Sequence, residues 1–208
     1  MLRASRLLCA LISLIIAVGC GKDPGIPVIG SGSEYTDNLN KAEELSKATL
    51  EKYESGEKLT DEDKKKLKEA MVLFKALVAF QPEGFGPYFG LAKIHQALGE
   101  PQPALFYMKR FIEYAPPRPI PEIVRLLAEA HYTCGRIYED MGEFEEADKH
   151  AEASIKHFRN NPNYLSFMAS AKLRAKQTDE AHKLVDEALK LDPNNGRAKE
   201  LHRMMGRH

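Results

Sequence analysis

Apolar residues recur three or four positions apart through most of this chain, which is the period of an amphipathic α-helix. The first such stretch begins near Thr36 or Asp37, either of which can cap a helix, and it ends at Gly56. The second begins at Thr60 and ends near Pro82, because proline disfavours helical backbone in the residue before it. The pattern predicts that the buried face of this second helix holds Leu67, Ala70, Met71, Phe74, Leu77 and Val78.

The composition also favours helices over sheets. After residue 30, Val, Ile and Thr are sparse, while Ala, Leu, Glu and Lys are abundant. Hydrophobic residues make up 43% of the 208 residues, which is enough for a buried core. The 30 basic residues balance the 30 acidic ones, and phosphate binding usually needs a basic excess. We therefore expect an all-α protein without a nucleic-acid partner.

Residues 85–118 contain two amphipathic helices that meet at Gly99. Pro82 precedes this unit and Pro116 stands near its end, 34 residues later. Two helices cross closely only where one side chain is small, and alanines return at the corresponding place in each unit. These alanines are spaced by 34, 43 and 34 residues: Ala70, Ala104, Ala147 and Ala181.

This helical period resembles the tetratricopeptide repeat (TPR). Tyr88 takes the first aromatic position of the family pattern, and Leu91 and Ala92 take its Leu-small pair. Leu184–Asn195 is similar to the commonest ending of the family's second helix. The resemblance implies an all-α, TPR-like α-solenoid of about four helix pairs plus a C-terminal capping helix. Its units are a degenerate first pair at 35–84, repeats at 85–118, 119–161 and 162–195, and the capping helix at 196–208.

The third unit departs from the regular period by nine extra residues, which include the proline-rich link Pro116–Pro121. Pro121 can occupy the first turn of an extended helix that runs to about Met141. Such a helix is about 30 Å long, so its first turns can project beyond their neighbours. Two interpretations of Ile123, Leu126 and Leu127 remain open, a local cap packed on the preceding pair and an exposed ledge for a partner. At the other end of this unit Pro162 is late, which predicts a second helix longer by most of a turn.

The first nineteen residues have the features of a signal peptide. Arg3 and Arg6 precede the apolar run 7–18, and small residues then lead to Cys20. This ending resembles the bacterial lipobox, in which the cysteine after the cleavage site is acylated. The resemblance implies a lipidated, palmitate-bearing Cys20 and a flexible tether over 20–34. An ordinary secretory cleavage before Cys20 is the alternative.

The leader sets the expected location. A lipidated Cys20 would hold the chain in the bacterial cell envelope, facing the periplasm. Gly21 after the cysteine favours the outer membrane over the inner one, by resemblance to enterobacterial sorting. The thiol of Cys134 lies on an apolar helix face, which favours a buried and inert role. If Cys20 is not acylated, a disulfide between Cys20 and Cys134 is conceivable.

No motif for catalysis, a metal or a cofactor stands out. The sequence has seven histidines but no H-E-x-x-H and no C-x-x-C, and it has no glycine-rich phosphate loop. His150 and His157 lie two turns apart on one predicted helix, too far apart for a close pair. We therefore expect no enzyme activity, no metal site and no cofactor. The sequence does not indicate an oligomeric state.

Members of the TPR family bind protein or peptide partners in a concave groove that their first helices line. Transferring the groove positions of the family to this register gives ten residues with a mixed polar and aromatic character. They lack the Lys, Asn and Arg pattern of the family's carboxylate clamp, so capture of a chaperone C-terminus is not expected. The ten residues are Phe89, Lys93, Gln96, Tyr132, Arg136, Glu139, Asp140, Ser166, Ser170 and Arg174.

The sequence thus predicts a non-enzymatic interaction scaffold at the periplasmic face of a bacterial membrane. An accessory role in envelope assembly, for a pilus or a secretion system, is the leading expectation by resemblance. The alternative is an envelope accessory of a hydrolase or carbohydrate-handling system that uses the groove as a ligand cleft.

Overall fold

The computed structural model describes residues 26–206, and this range contains nine α-helices and no strand. Each helix is followed by a connection of at most six residues. The helices are α1 (Gly32–Glu54), α2 (Asp61–Phe80), α3 (Phe85–Ala97), α4 (Pro101–Tyr114), α5 (Pro121–Asp140), α6 (Phe144–His157), α7 (Pro162–Arg174), α8 (Thr178–Leu191) and α9 (Gly196–Met205).

Consecutive helices pack as four pairs: α1 with α2, α3 with α4, α5 with α6, and α7 with α8. Each pair also packs on the next one, and α9 lies against α7 and α8 at the end of the stack. In each of the last three pairs a tight turn joins the two helices. These turns have left-handed backbone at Gly99, Gly142 and Lys176. Glycine adopts this conformation without steric cost. The predicted all-α, TPR-like α-solenoid is therefore confirmed over the part of the chain that the structure covers.

Helix α1 begins earlier than the sequence pattern predicts. We expected a start at Thr36 or Asp37 after a flexible tether, but Ser31 caps a helix that begins one residue later. The hydroxyl of Ser31 accepts from the backbone N–H of Glu34 at 3.2 Å, and the Glu34 carboxylate accepts from the N–H of Gly30 at 2.6 Å. This S-x-x-E spacing is a helix-start signal that the tether interpretation overlooked. The end of the predicted tether is thus helical.

The residues just before α1 are also packed rather than free. Ile29 is buried, and Ile26 packs against the same apolar side chains of the first helix pair. Burying the two isoleucines stabilises this extended segment. The sequence pattern did not indicate this packing, because glycine and proline residues surround the isoleucines. The prediction of a flexible tether over 20–34 is therefore wrong for residues 26–34. Residues 20–25 lie outside the described range.

The proline-rich link leads into the extended helix as predicted. Pro121 occupies the first turn of α5, where its missing N–H leaves no helical hydrogen bond unmade. Helix α5 has 20 residues, against 13 in α3 and α7. The expected lengthening of α6 is wrong, because α6 has 14 residues, as α4 and α8 do. The residues after His157 do not continue the helix, because the backbone is extended at Phe158. Asn161 then caps α7.

The buried side chains form two clusters. The first cluster lies in the first helix pair and ends on one side of α3, at Leu91 and Ile94. The second cluster begins on the other side of α3, at Tyr88 and Ala92, and runs to Met205 in α9. Helix α3 therefore lies between two cores, and its remaining surface borders an open cavity.

Candidate ligand-binding groove

An open cavity of about 490 Å³ lies between the first helices of the first three pairs, α1, α3 and α5. We call it the groove cavity. One apolar residue comes from α1, and the others come from α2 to α5. These apolar lining residues are Leu50, Phe74, Phe85, Phe89, Phe111, Ile123 and Leu126.

Two glycines on α3 keep the groove cavity open. Gly86 and Gly90 both line it, and a Cβ atom at Gly86 would have no other atom within 4 Å. A Cβ at Gly90 would lie 2.5 Å from the Cζ atom of Phe74, so the Phe74 ring packs directly on the α3 backbone. The Phe111 ring packs against Phe89 with centroids 5.0 Å apart. Aromatic rings thus form much of the wall.

Lys93 lies among the polar lining residues of the groove cavity, and both of its neighbours there are acidic. Its Nζ atom is 2.7 Å from Glu54 Oε1 on α1 and 2.7 Å from Glu129 Oε1 on α5. Burial lowers the pKa of Lys93, but the charges and hydrogen bonds of Glu129 and Glu54 outweigh it and raise that pKa. Lys93 therefore stays charged and joins the helices on either side of α3.

The early part of α5 supplies the opposite wall. Ile123 and Leu126 are partly buried and line the groove cavity, whereas Leu127 is buried in the second cluster. The interpretation of a local cap packed on the preceding pair is thus supported, since Ile123 and Leu126 also pack against the second cluster, while a role as a partner ledge stays a prediction. Leu127 packs into the core, while the other two side chains border open space.

A second cavity of about 400 Å³ lies beside the groove cavity, where the end of α1 approaches α3 and α5. Its walls are mostly polar, and they include Gln96, Tyr132, Arg136 and Asp140. Arg136 Nη1 donates to the hydroxyl of Tyr132 at 3.2 Å. Gln96 Oε1 is buried and has no hydrogen-bond partner among the described residues. We call this the polar cavity.

In the last pair, hydrogen bonds and ion pairs close the predicted groove positions. Glu139 accepts hydrogen bonds from Arg174 at 3.0 Å and from Arg197 of α9 at 2.6 Å. Arg174 also pairs with Asp148, and Arg197 donates to the hydroxyl of Ser170 at 3.0 Å. We call these five residues the arginine network. Burial raises the pKa of Glu139, but the two guanidinium groups outweigh this effect and lower that pKa.

The structure therefore distributes the ten predicted groove residues over the groove cavity, the polar cavity, the arginine network (which includes Ser170) and one buried position, that of Ser166. Phe89 and Lys93 line the groove cavity. A correction concerns Ser166, which is fully buried and donates to the Asn163 carbonyl at 3.1 Å, so it does not face a groove. Ser170 is buried as well. The remaining residues lie in the polar cavity (Gln96, Tyr132, Arg136, Asp140) or in the arginine network (Glu139, Arg174).

The groove residues of α1 were missed by sequence reasoning. The family pattern is weak in the first pair, so no groove positions could be transferred to it. A signal was nevertheless present, because Ser46, Leu50 and Glu54 are spaced four apart and must share one face of a helix. That face lines the groove cavity, although Ser46 itself is buried, and Thr49 on a neighbouring face is buried as well.

Three histidines come together between α5 and α6, which sequence spacing alone did not indicate. His131 Nδ1 is 2.9 Å from His150 Nδ1, and the rings of His131 and His157 stack with centroids 5.4 Å apart. Burial, with smaller contributions from His150 and His157, lowers the pKa of His131 to about 4. We call these residues the histidine cluster. Between residues 26 and 206, no group of three or more His, Cys, Asp or Glu side chains is arranged to hold a metal ion.

Other predictions concern cysteines and the membrane. Cys134 is fully buried, and burial raises the pKa of its thiol to about 12, so it is protonated and unreactive. The leader 1–19 and Cys20 lie outside the described residues. No described helix is both long enough and apolar enough to cross a bilayer.

Comparison with known proteins identifies the repeat and the fold. A family model described as tetratricopeptide repeat matches residues 128–160, which are most of α5 and α6. A crystal structure of MamA is 21% identical, with a TM-score of 0.52, and covers 79% of this chain and 88% of MamA. No curated protein matches the sequence.

Two further solved structures have the same fold. A TPR protein of Thermus thermophilus, TTC0263, is 20% identical, with a TM-score of 0.51 and 84% of each chain covered. The Cut9–Hcn1 hetero-tetramer of the APC/C gives a TM-score of 0.59 at 15% identity, over 83% of this chain and 32% of the matched one. The protein therefore contains a tetratricopeptide repeat at residues 128–160 and has the α-solenoid fold of tetratricopeptide-repeat proteins.

Proposed function

We propose that this protein is a non-enzymatic scaffold that holds a protein or peptide partner in the groove cavity. The observation that carries this proposal is the apolar cavity of about 490 Å³ between α1, α3 and α5. Its size is within the range of ligand pockets, and its walls combine aromatic and aliphatic side chains with six charged ones. Apolar anchors in such a pocket contribute most of the affinity in protein interfaces.

The fold supports a scaffold because TPR solenoids present the first helices of successive repeats side by side. The groove cavity uses three of these helices, and the ion pairs of Lys93 link all three. A sugar needs many hydrogen-bonding side chains, whereas the walls of this cavity are chiefly apolar. The protein or peptide partner is thus better supported than the carbohydrate-handling alternative.

Capture of the partner tests the groove. We expect Leu126→Glu to reduce, by tenfold or more, the cross-linked partner recovered from cells, because it places a carboxylate in the apolar wall. The matched control is Phe106→Glu, since Phe106 is exposed on α4 outside the groove cavity. Circular dichroism should show the same helicity in both variants. Undiminished capture by Leu126→Glu would overturn the groove assignment, and a loss confined to Tyr132→Ala with Arg136→Ala would move the site to the polar cavity.

We also propose that the scaffold lies at the periplasmic face of a bacterial membrane, held by acyl chains on Cys20. Support comes from the sequence of the leader, whose apolar run ends in small residues before Cys20. Each buried CH₂ of an acyl chain contributes about 0.8 kcal/mol, so several chains anchor a protein firmly. The outer membrane is the proposed location, and service to an envelope assembly such as a pilus or a secretion system is the proposed role.

Fractionation of cells tests the anchor. We expect Cys20→Ala to move the protein from the membrane fraction to the soluble fraction and to remove the mass of the acyl chains. Cys9→Ala is the matched control, because Cys9 lies inside the apolar run of the leader. A Cys20→Ala protein that stays in the membrane with unchanged mass would eliminate the lipid anchor. That result would leave the groove proposal untouched.

A further inference from the structure

We infer that the partner segment of the groove cavity is apolar and basic: a peptide that buries two or more large apolar side chains and places a Lys or Arg beside α1. This inference rests on the proposed function and adds the chemistry of the partner. It is carried by the charges around the groove cavity, which are unequal although the whole chain has no net charge.

The first step is the state of Lys93, because a lysine in a TPR groove would ordinarily attract an acidic partner. The side chain of Lys93 is only 12% exposed, and both Glu54 and Glu129 lie 2.7 Å from its Nζ atom. Two carboxylates therefore share one ammonium group. Lys93 is already paired on both sides, and its immediate surroundings carry an excess of one negative charge.

The second step is the rim of the groove cavity on α1. Glu43, Lys47 and Glu51 line it at spacings of four residues, so they follow one another along one face of the helix. All three are exposed, and none forms an ion pair with another residue of the described range. The rim thus carries two carboxylates and one ammonium, and the whole cavity lining has a net charge of −2.

The third step is the match between these charges and a basic residue. A Lys or Arg can lay its aliphatic stem along the apolar wall near Leu50 while its charged end reaches the carboxylates of α1. Glu43 and Glu51 are exposed to solvent, so the desolvation cost of pairing with a cation at the rim is small. An acidic segment would instead meet unpaired like charges, which oppose binding and slow association. The apolar part of the segment fills the space between Phe89 and Leu126.

The experiment uses three labelled peptides of equal length and identical apolar residues, whose flanking positions are all Lys, all Ser or all Glu. Fluorescence anisotropy measures their binding to residues 21–208, which include the nine helices and the two buried clusters found between residues 26 and 206. At low salt we expect the Lys peptide to bind at least tenfold more tightly than the Glu peptide, with the Ser peptide between them. The difference should shrink at high salt, because screening weakens charge attraction between exposed groups.

A charge-reversal variant locates the effect. We expect Glu43→Lys with Glu51→Lys to reverse the order of the Lys and Glu peptides. The matched control is Glu152→Lys with Asp186→Lys, which makes the same change of charge at exposed positions outside the groove cavity. A preference that survives the reversal at α1, or that is lost equally in the control, would overturn the inference.

The remaining outcomes separate this inference from the proposed function. Equal binding of the three peptides, tighter binding of the Glu peptide, or no binding of any peptide would reject an apolar and basic partner. If Leu126→Glu still abolishes capture from cells, the groove scaffold stands and only the charge of its partner is wrong. If capture is also unchanged, the groove assignment fails as well.

Discussion

The second and fourth repeats have different side chains at the same groove positions. Those of the second repeat border open space, whereas those of the fourth are buried. Phe89 and Lys93 of the second repeat line an open cavity. Ser166 and Ser170 occupy the equivalent positions of the fourth repeat, and both are buried. A position in the TPR register therefore does not by itself make a binding residue.

The element after each repeat decides the difference. The fourth repeat leads into α9, whose Arg197 donates to Ser170 and to Glu139 and so covers the groove side of α7. The second repeat leads into the link Pro116–Pro121 and the extended α5, whose first turns form a wall rather than a cover. The small side chains of the fourth repeat thus lie beneath a capping helix, whereas Phe89 of the second repeat borders open space. This contrast between an open and a sealed region can be tested by substitution and by pH.

Removing the apolar contacts of α9 should have the largest effect. Leu201 and Met205 are both buried, and the double variant Leu201→Ala with Met205→Ala should lower the free energy of unfolding by about 4 kcal/mol. Amide hydrogen exchange in α7 should accelerate, because its cover detaches first. Urea denaturation followed by circular dichroism measures the loss.

Met204→Ala is the control for this change, since Met204 is 56% exposed on the same helix. We expect it to alter stability by less than about 0.5 kcal/mol. If the double variant were equally mild, α9 would not seal the fourth repeat, and the contrast between the two regions would lose its physical cause.

Acid should loosen the third pair, which separates the open region from the sealed one. Protonation of His131 is disfavoured in the folded state, where its pKa is lowered from 6.5 to about 4, mainly by burial. The unfolded state then binds more protons between these values, so stability is complete above about pH 6.5 and falls as the pH drops toward 4. The pKa values of His150 and His157 are also lowered, chiefly by burial, and they act in the same direction.

The expected loss at His131 is about 2 kcal/mol, after allowance for the partial exposure of the ring. Urea denaturation between pH 7.5 and 4.5 measures it, and His131→Gln should flatten the pH dependence. His202→Gln on the exposed side of α9 is the control. An unchanged slope in His131→Gln would mean that the histidine cluster does not contribute to acid sensitivity.

The sequence predicted the repeat architecture well because it depends on side-chain size and period. The alanines at the helix crossings, Ala70, Ala104, Ala147 and Ala181, are all fully buried. The start of α5 at Pro121 follows equally from the backbone of proline. These features are local, so a single sequence reveals them.

The candidate site was predicted only in part, because it depends on contacts between distant segments. The sequence predicted α9 as a capping helix, but it did not indicate that Arg197 would contact the groove side of α7 at Ser170. Likewise, His131 lies 19 residues from His150, and only the pairing of α5 with α6 brings them together. The groove face of α1 required a register that the degenerate first repeat does not supply.

Alanine substitutions at two helix glycines compare how tightly the two regions are packed. A Cβ at Gly135 would lie 2.6 Å from the ring of Phe167, which is fully buried, and 3.1 Å from His150 Cβ. We expect Gly135→Ala to cost about 1.5 kcal/mol, since overpacking exceeds the gain in helix propensity. At Gly90 the clash is with Phe74, which is also buried, at 3% exposure, but whose ring borders the groove cavity and therefore has open space beside it. Gly90→Ala should therefore be nearly neutral in urea denaturation, and equal costs would show that both regions are packed alike.

The turn of the fourth repeat offers the smallest and most local test. Lys176 has a φ of 59°, where the equivalent turns of the second and third repeats have Gly99 and Gly142. A side chain in left-handed backbone costs roughly 1–2 kcal/mol, and the greater freedom of glycine in the unfolded chain offsets part of any gain. Lys176→Gly should thus raise the free energy of unfolding by about 1 kcal/mol, and the reverse change Gly142→Lys should lower it by a similar amount. The two changes together test whether the turn at Lys176 in the sealed repeat carries strain that a glycine turn lacks. If Lys176→Gly left the urea midpoint unchanged while Gly142→Lys lowered it, the turn at Lys176 would be relaxed by its surroundings, and the two regions would differ in their cover alone.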